Sequence, residues 1–232
     1  MAELERVDRE HVAWLQLSRP ARGNALTTHL LESLREQLRS IAEGRGIKVV
    51  VLSGAGDVFC SGADLAEFKS GLDPQGSLNR VRLVSEILTQ IRRLEQPTIA
   101  AVNGAAIGAG WGLAMVCDLC FTVVDAKFCI PEIAKGFRLP GIIVRRLVGV
   151  VGSTRAAEIV MGGASYDAER AVDWGWASRI FGDRSALSDG TWQVATEWAS
   201  RPRRALAAAV TPLRQGPDRD PSPLPEYVWD EE

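Results

Sequence analysis

Two short apolar runs, separated by an amphipathic helical segment, constrain the fold of this chain more than any other feature. Residues 48–53 read Lys-Val-Val-Val-Leu-Ser, and residues 98–102 read Thr-Ile-Ala-Ala-Val. Runs of this kind, apolar on both faces, are typical of strands covered on both sides in a parallel sheet. Between them, residues 78–94 place apolar side chains at helical spacing, and Pro97 follows. The alternation predicts an α/β fold with a mostly parallel sheet and crossover helices.

The same alternation extends to both sides of this unit. Further strands are predicted at residues 12–17 and 119–124, and residues 29–41 form an amphipathic helix that Thr27 or Thr28 caps. After residue 153 the pattern becomes mainly helical. The predicted helices of this part cover residues 154–161, 167–174, 186–199 and 202–213.

Composition excludes several classes of protein. The 232 residues carry a net charge of −2, which gives no reason to expect nucleic acid or an anionic membrane as partner. No apolar run approaches the length of a membrane span, and the first residues lack the pattern of an export signal. Four cysteines do not make a disulfide framework in a chain of this length, and the Cys117 and Cys120 spacing has no second pair, so no metal site is predicted. We therefore expect a cytoplasmic protein.

Two loops of small residues, 59–68 and 104–112, precede helical segments. The backbone N–H groups at a helix start are free to bind negative charge, and two convergent donors suit a thioester carbonyl that becomes an enolate. Glycine loops also serve close packing, which is the commoner outcome on spacing alone. Glu132, which follows Pro131, is a candidate for proton transfer or, alternatively, a helix-terminal carboxylate placed for the dipole.

Six motifs follow one another along the chain, beginning with Arg19-Pro-Ala-Arg-Gly-Asn24-Ala-Leu26 and ending with Pro131-Glu132. Taken in this order, they resemble the crotonase family, the enoyl-CoA hydratase/isomerase superfamily. The match runs from about residue 10 to residue 182, and an ordered set is more specific than any single motif. The resemblance implies a spiral of ββα turns, assembly as homotrimers or dimers of trimers, and an acyl-CoA substrate of fatty acid metabolism whose coenzyme A is part of the substrate, with no other cofactor. The motifs are Arg19-Pro-Ala-Arg-Gly-Asn24-Ala-Leu26, Ser61-Gly-Ala-Asp64, Pro97-Thr-Ile-Ala-Ala-Val-Asn-Gly104, Gly108-Ala-Gly110, Leu113-Ala-Met-Val-Cys-Asp118 and Pro131-Glu132.

The resemblance also assigns roles by position. Glu132 is the expected catalytic residue, and the N–H groups of Ala63 and Ala109 are the expected oxyanion donors. No metal ion is implied. The expected substrate- and CoA-binding residues are Ala25, Ala63, Asp64, Leu65, Ala66, Gly108 and Trp111, of which Trp111 either walls the acyl pocket or packs in the core.

Departures from the family pattern decide which reaction we expect. Family hydratases carry a second catalytic glutamate at the position of Gly112, and a water-binding glycine falls at Pro140, which has no N–H. The next glycine pair is Ile142-Ile143 here, which predicts a reshaped acyl pocket. Water addition shares its work between two carboxylates, so a single glutamate favours Δ3-Δ2 enoyl-CoA isomerisation. Hydration of low efficiency, enolate carbon–carbon bond formation and non-catalytic acyl-CoA binding stay open as alternatives.

The sequence thus divides into three parts. Residues 1–182 are the predicted crotonase-like ββα spiral core. Residues 183–215 are a predicted C-terminal helical region for oligomerisation. Residues 216–232 are proline-rich and acidic, without apolar periodicity, and are predicted to be an extended or disordered tail.

Overall fold

The structure, a computed structural model, describes residues 2–64, 66–67 and 74–215. Leu65 and the predicted tail, residues 216–232, lie outside the described residues. Among the residues that are described, no helix combines the length and the apolar character needed to cross a membrane.

The larger sheet carries the strands that the apolar runs predict. Its strands pair in the order β1-β2-β3-β5-β7-β10, antiparallel between β1 and β2 and parallel throughout the rest. Strands β3 and β5 are buried along their whole length, as continuous apolar runs predict. The strand bounds are β1 Leu4–Arg9, β2 Val12–Leu17, β3 Val49–Gly54, β5 Thr98–Val102, β7 Leu119–Val123 and β10 Arg179–Phe181.

Short strands form a second sheet that the sequence did not predict. They pair in the order β4-β6-β8-β9, parallel except for the last pair. Each spans three residues, which is too short for a period-2 pattern to be visible. Consecutive strands β3 and β4, β5 and β6, and β7 and β8 enter different sheets, so the chain climbs in repeated ββα turns. The bounds are β4 Val58–Cys60, β6 Ala105–Ile107, β8 Lys127–Cys129 and β9 Ser165–Asp167.

The helices confirm the predicted periodicity, with one extension. Helix α1 buries its leucine stripe, and the Thr27 side chain caps it by accepting the Leu30 N–H at 3.0 Å. Helix α4 begins well before the predicted residue 154 because Gly152, with φ of 80°, joins two helical parts at a kink. The bounds are α1 Thr28–Glu43, α2 Pro74–Arg93, α3 Ala109–Val116, α4 Gly141–Gly162, α5 Ala168–Asp173, α6 Arg184–Ala199 and α7 Arg203–Gln215.

The helices pack in one group around α2 and in another on the larger sheet. Helix α2 packs against α1, α3 and α4, while α6 lies on the larger sheet. A buried ion pair fixes α7, because the Arg214 guanidinium donates to both Asp118 carboxylate oxygens, at 2.7 and 2.5 Å. Asp118 also accepts hydrogen bonds from the Thr98 amide and hydroxyl. The last described helix is therefore tied to the carboxyl end of α3 and to the start of β5.

Candidate active site

The start of helix α3 and the loop after β4 meet at one cavity. At Gly62, φ is +86°, and a Cβ there would lie 2.7 Å from the Ile107 carbonyl oxygen and 3.7 Å from the Ala109 nitrogen. Such contacts leave room only for glycine. The close approach brings the backbone of Ala63 and Ala109 to the lining of a cavity of about 110 Å³. The remaining lining residues are Ser61, Arg80, Val81, Val84, Ile107, Gly108, Pro131, Glu132, Lys135, Phe137, Arg138 and Pro140.

The Ala63 loop is held by buried polar contacts. Ala63 forms an isolated parallel β-bridge with Leu26. The Leu26 N–H donates to the Gly62 carbonyl at 2.8 Å, and the Asp64 N–H donates to the Leu26 carbonyl at 3.1 Å. Arg19 pairs with the Asp64 carboxylate at 2.9 Å. Because these contacts are backbone bonds and a buried ion pair, the Ala63 amide is fixed before any ligand binds.

Glu132 reaches the cavity from the loop that follows β8. A Cβ on Gly108 would lie 1.9 Å from Glu132 Oε1, so the carboxylate rests directly on the backbone that opens α3. Its Oε2 atom is buried and has no hydrogen-bond partner among the described residues. Burial raises the pKa of the Glu132 carboxyl, whereas hydrogen bonds from the Glu132 and Ala109 amides and the charge of Lys135 partly offset that rise. A carboxyl whose pKa is raised by burial binds a proton more readily than a solvated one, which suits a group that takes up and returns a proton.

The Gly112 position, one turn after Gly108 on α3, is filled by hydrocarbon from other helices. A Cβ there would lie 2.5 Å from Ile143 Cδ1, 2.9 Å from Ile143 Cγ1 and 3.6 Å from Leu88 Cδ1. Ile143, on α4, is fully buried. No side chain at position 112 can be accommodated unless Ile143 moves. Pro140, where the family pattern places a water-binding glycine, lines the cavity and has no N–H to offer.

The predicted binding residues divide into two groups. Ala63, Gly108, Ala109 and Glu132 lie together on the cavity lining. Ala25, Asp64 and Ala66 are not among the described residues that line it; the Ala25 carbonyl accepts from Arg19 at 2.6 Å, and Asp64 Oδ1 accepts the Ala66 N–H at 2.9 Å. Burial alone would raise the pKa of the Asp64 carboxyl, but hydrogen bonds from Arg19 and Ala66 hold it below its ordinary value.

The structure corrects the substrate-contacting interpretation of Trp111. Its side chain is 1% exposed, and its ring centroid lies 5.0 Å from that of Trp176 and 5.6 Å from that of Phe128. Trp111 is not among the described residues that line the cavity, and it packs in an aromatic cluster of the core. Adjacent residues of a helix are about 100° apart around its axis, so Trp111 faces a different side of α3 from Gly110 and Gly112.

Sequence reasoning missed the contribution of α2 to the cavity. Arg80 is buried and pairs with Glu67 and with the Leu26 carbonyl, while Val81 and Val84 complete the wall. Positions 80, 81 and 84 share one face at helical spacing, which is the signal that was available. The spacing alone did not indicate that this face meets the loop of Ala63.

Replacing Gly108 by alanine should disable the site selectively. The new Cβ would overlap Glu132 Oε1, and φ of +57° disfavours any side chain. We expect turnover to fall by roughly 10²-fold, because a displaced proton-transfer group loses its alignment. Gly162→Ala is the control, since a Cβ there meets nothing within 4 Å. Steady-state kinetics of both variants test this, and equal activity of Gly108→Ala and the wild type would contradict the placement of Glu132.

Comparisons with known proteins agree on one family. Residues 8–222 match the model of the enoyl-CoA hydratase/isomerase family. The 2,3-dehydroadipyl-CoA hydratase of Escherichia coli is 37% identical over 220 residues, 93% of this chain and 83% of that protein. A peroxisomal Delta(3,5)-Delta(2,4)-dienoyl-CoA isomerase of Arabidopsis thaliana is 30% identical over 192 residues, 78% of this chain and 69% of that protein. The crystal structure of an enoyl-CoA hydratase of Mycobacterium smegmatis superposes with a TM-score of 0.88 at 28% identity, covering 95% of this chain and 85% of that one.

Proposed function

Because the chain belongs to the enoyl-CoA hydratase/isomerase family, we propose that it moves the double bond of an enoyl-CoA thioester between the 3 and 2 positions, with Glu132 as the proton-transfer residue. The amides of Ala63 and Ala109 would bind the thioester oxygen. Coenzyme A enters as part of the substrate, and no other cofactor is needed for this chemistry.

The proposed reaction needs one acid–base group and one oxyanion site. The Glu132 carboxylate removes a proton from the α-carbon, and the electron pair moves into the thioester carbonyl to give a dienolate. The N–H groups of Ala63 and Ala109 stabilise the oxygen of this dienolate. The protonated Glu132 then gives the same proton to the γ-carbon, which leaves the 2-enoyl product and a regenerated carboxylate.

The observation that carries the preference for isomerisation is the Ile143 side chain beside Gly112. Hydration needs a water molecule held between two proton-transfer groups. Here Ile143 Cδ1 occupies the space of the second carboxylate. A Cβ added at Gly112 would lie only 2.5 Å from it. In this packing the Ile143 hydrocarbon occupies that space and offers a water molecule no hydrogen-bond partner. Isomerisation requires neither the second carboxylate nor the water.

Hydration is the second candidate, because most of the similar relatives carry hydratase names. Incubation of the protein with 3-enoyl-CoA and, separately, with 2-enoyl-CoA distinguishes the two reactions through the absorbance of the conjugated thioester. We expect the absorbance to rise with the 3-enoyl substrate and to stay nearly constant with the 2-enoyl substrate. Rapid loss of conjugation from 2-enoyl-CoA would overturn the preference for isomerisation.

A double variant tests the role of Ile143 directly. In Gly112→Glu/Ile143→Ala the clashing Cγ1 and Cδ1 atoms are absent, so a carboxylate can be accommodated at the position where the resemblance places the second glutamate of hydratases. We expect hydration of 2-enoyl-CoA to rise at least about tenfold over the wild type, a small part of what an acid–base group can contribute. Neither single variant should gain this activity. Far-ultraviolet circular dichroism establishes that each variant is folded, and a gain in Gly112→Glu alone would contradict the steric argument.

A further inference from the structure

A second cavity, of about 670 Å³, lies between the carboxyl ends of α2 and α7 and the first half of α4. It is lined by guanidinium groups from three helices. Apolar side chains, Leu94, Ile142 and Val210 among them, form part of its wall. The lining arginines are Arg92, Arg93, Arg145, Arg146 and Arg214.

The positive charge of this arginine cavity is only partly balanced. Asp118 pairs with Arg214 and, at 3.7 Å, with Arg92. Glu95 lines the cavity, but its carboxylate pairs with Arg203 at 3.5 Å. Arg93 and Arg145 are exposed and form no salt bridge with any described residue. Arg146 donates to the Met115 carbonyl at 3.0 Å and lies close enough to Asp118 to feel its charge.

Burial and crowding lower the pKa of two of these arginines. Burial, reinforced by the neighbouring Arg146 guanidinium, lowers the pKa of Arg92 to about 10. Burial also lowers the pKa of Arg146. Desolvated cations held close together are stabilised when an anion joins them. The cavity has the charge and the volume to take one.

The arginine cavity is separate from the candidate active site. Among the described residues the two cavities share no lining residue, although they are neighbours: Val84 and Pro140 line the small cavity, and Thr89 and Ile142 line the large one. On α2 the nearest lining residues, Val84 and Thr89, are five positions apart, or about 7.5 Å along the helix axis at 1.5 Å per residue. Glu132, Ala63 and Ala109 do not line the arginine cavity. A ligand bound there would not occupy the position of the thioester.

We propose that the arginine cavity binds a phosphate-bearing polyanion, with a pyrophosphate group as the best match to its charge. Guanidinium groups present paired N–H donors that fit phosphate oxygens. The five lining arginines face two carboxylates, Asp118 and Glu95, and the excess of three positive charges matches an anion of about three charges. A single carboxylate would leave most of that charge unbalanced. The apolar wall formed by Leu94, Ile142 and Val210 leaves room for a group attached to the phosphates, such as a nucleoside.

Isothermal titration of the full chain with inorganic pyrophosphate at constant ionic strength tests the proposal. We expect saturable binding with one site per chain. Use of the full chain includes any competition from the acidic residues 216–232. A parallel titration with ADP distinguishes the sources of the phosphate: tighter binding of ADP indicates a nucleotide, and equal or weaker binding indicates a free phosphate compound.

Two variants that each remove one positive charge locate the site. Arg145 is exposed on α4 and lines the cavity, so Arg145→Ala should weaken pyrophosphate binding about tenfold without disturbing the fold. Arg82 is exposed on α2 and does not line the cavity, so Arg82→Ala should keep the affinity of the wild type within a factor of about two. Absence of saturable binding, or equal weakening by both variants, would overturn the proposal.

Discussion

Glu132→Gln is expected to lower kcat for isomerisation of 3-enoyl-CoA by roughly 10²- to 10⁴-fold, the usual contribution of a positioned acid–base group. Glu132 is the one acidic side chain among the described residues that line the small cavity. Glutamine keeps the size and shape of the side chain that lies against Gly108, but its amide cannot take up the α-carbon proton and return it to the γ-carbon. Binding of an acyl-CoA should stay close to that of the wild type, because the amides of Ala63 and Ala109 are unchanged. Kinetics and equilibrium binding on the same preparation measure both quantities.

The raised pKa of Glu132 gives this prediction a dependence on pH. The base must be ionised, so kcat/KM should fall as the pH drops through a pKa above the ordinary glutamate value. The folded chain holds this proton more tightly than the unfolded chain does. The corresponding stability is present below the unfolded pKa and is lost as the pH rises through the folded pKa.

Glu132→Gln should therefore be more stable relative to the wild type at pH 8 than at pH 4. Urea unfolding at both values measures this difference. Glu197→Gln is a matched control, because Glu197 is exposed and its pair with Arg201 is solvated. If the difference in stability were the same at both pH values, the carboxyl would not be buried in the way described.

Asp118→Ala is expected to reduce the free energy of unfolding by about 3–5 kcal/mol, the range for a buried ion pair that loses one partner. The Asp118 and Arg214 side chains are 9% and 6% exposed. Removal of the carboxylate leaves the Arg214 guanidinium without its acidic partner and frees the Thr98 hydroxyl and amide. Denaturant unfolding of the purified variant measures the change.

An exposed ion pair provides the comparison for this loss. Glu197 pairs with Arg201 at 2.8 Å, and both side chains are more than half exposed. Glu197→Ala should cost no more than about 0.5 kcal/mol. Similar costs for Asp118→Ala and Glu197→Ala would mean that α7 is not anchored through Asp118.

Much of the fold could be predicted from the sequence, because long apolar patterns report burial. The strand of residues 12–17 and the strand of residues 98–102 agree with the structure to the residue. The three-residue strands of the smaller sheet carry no readable period, and β1 Leu4–Arg9 is mostly polar at the sheet edge. The first half of α4 was missed because its apolar residues are not confined to one face, and Gly152 interrupts it.

The candidate site was predictable where it depends on order along the chain. The motifs indicate Ala63, Ala109 and Glu132, and the structure places them on one cavity. Contacts between segments that are far apart along the chain could not be predicted from the order of the motifs. Nothing in the pattern around Trp111 distinguishes a pocket wall from a core position. The arginine cavity likewise collects residues from three helices that are far apart in sequence.

The close packing of Ile143 against Gly112 also limits which substitutions this protein can accept during evolution. A carboxylate introduced at 112 alone meets a methyl group within 2.5 Å of its Cβ. A carboxylate at 112 therefore needs either a different Ile143 rotamer or a smaller residue at 143, and the smaller residue leaves a void in the core. Both adjustments disturb the packing between α3 and α4. A second carboxylate is therefore accepted most readily in a background with stability to spare.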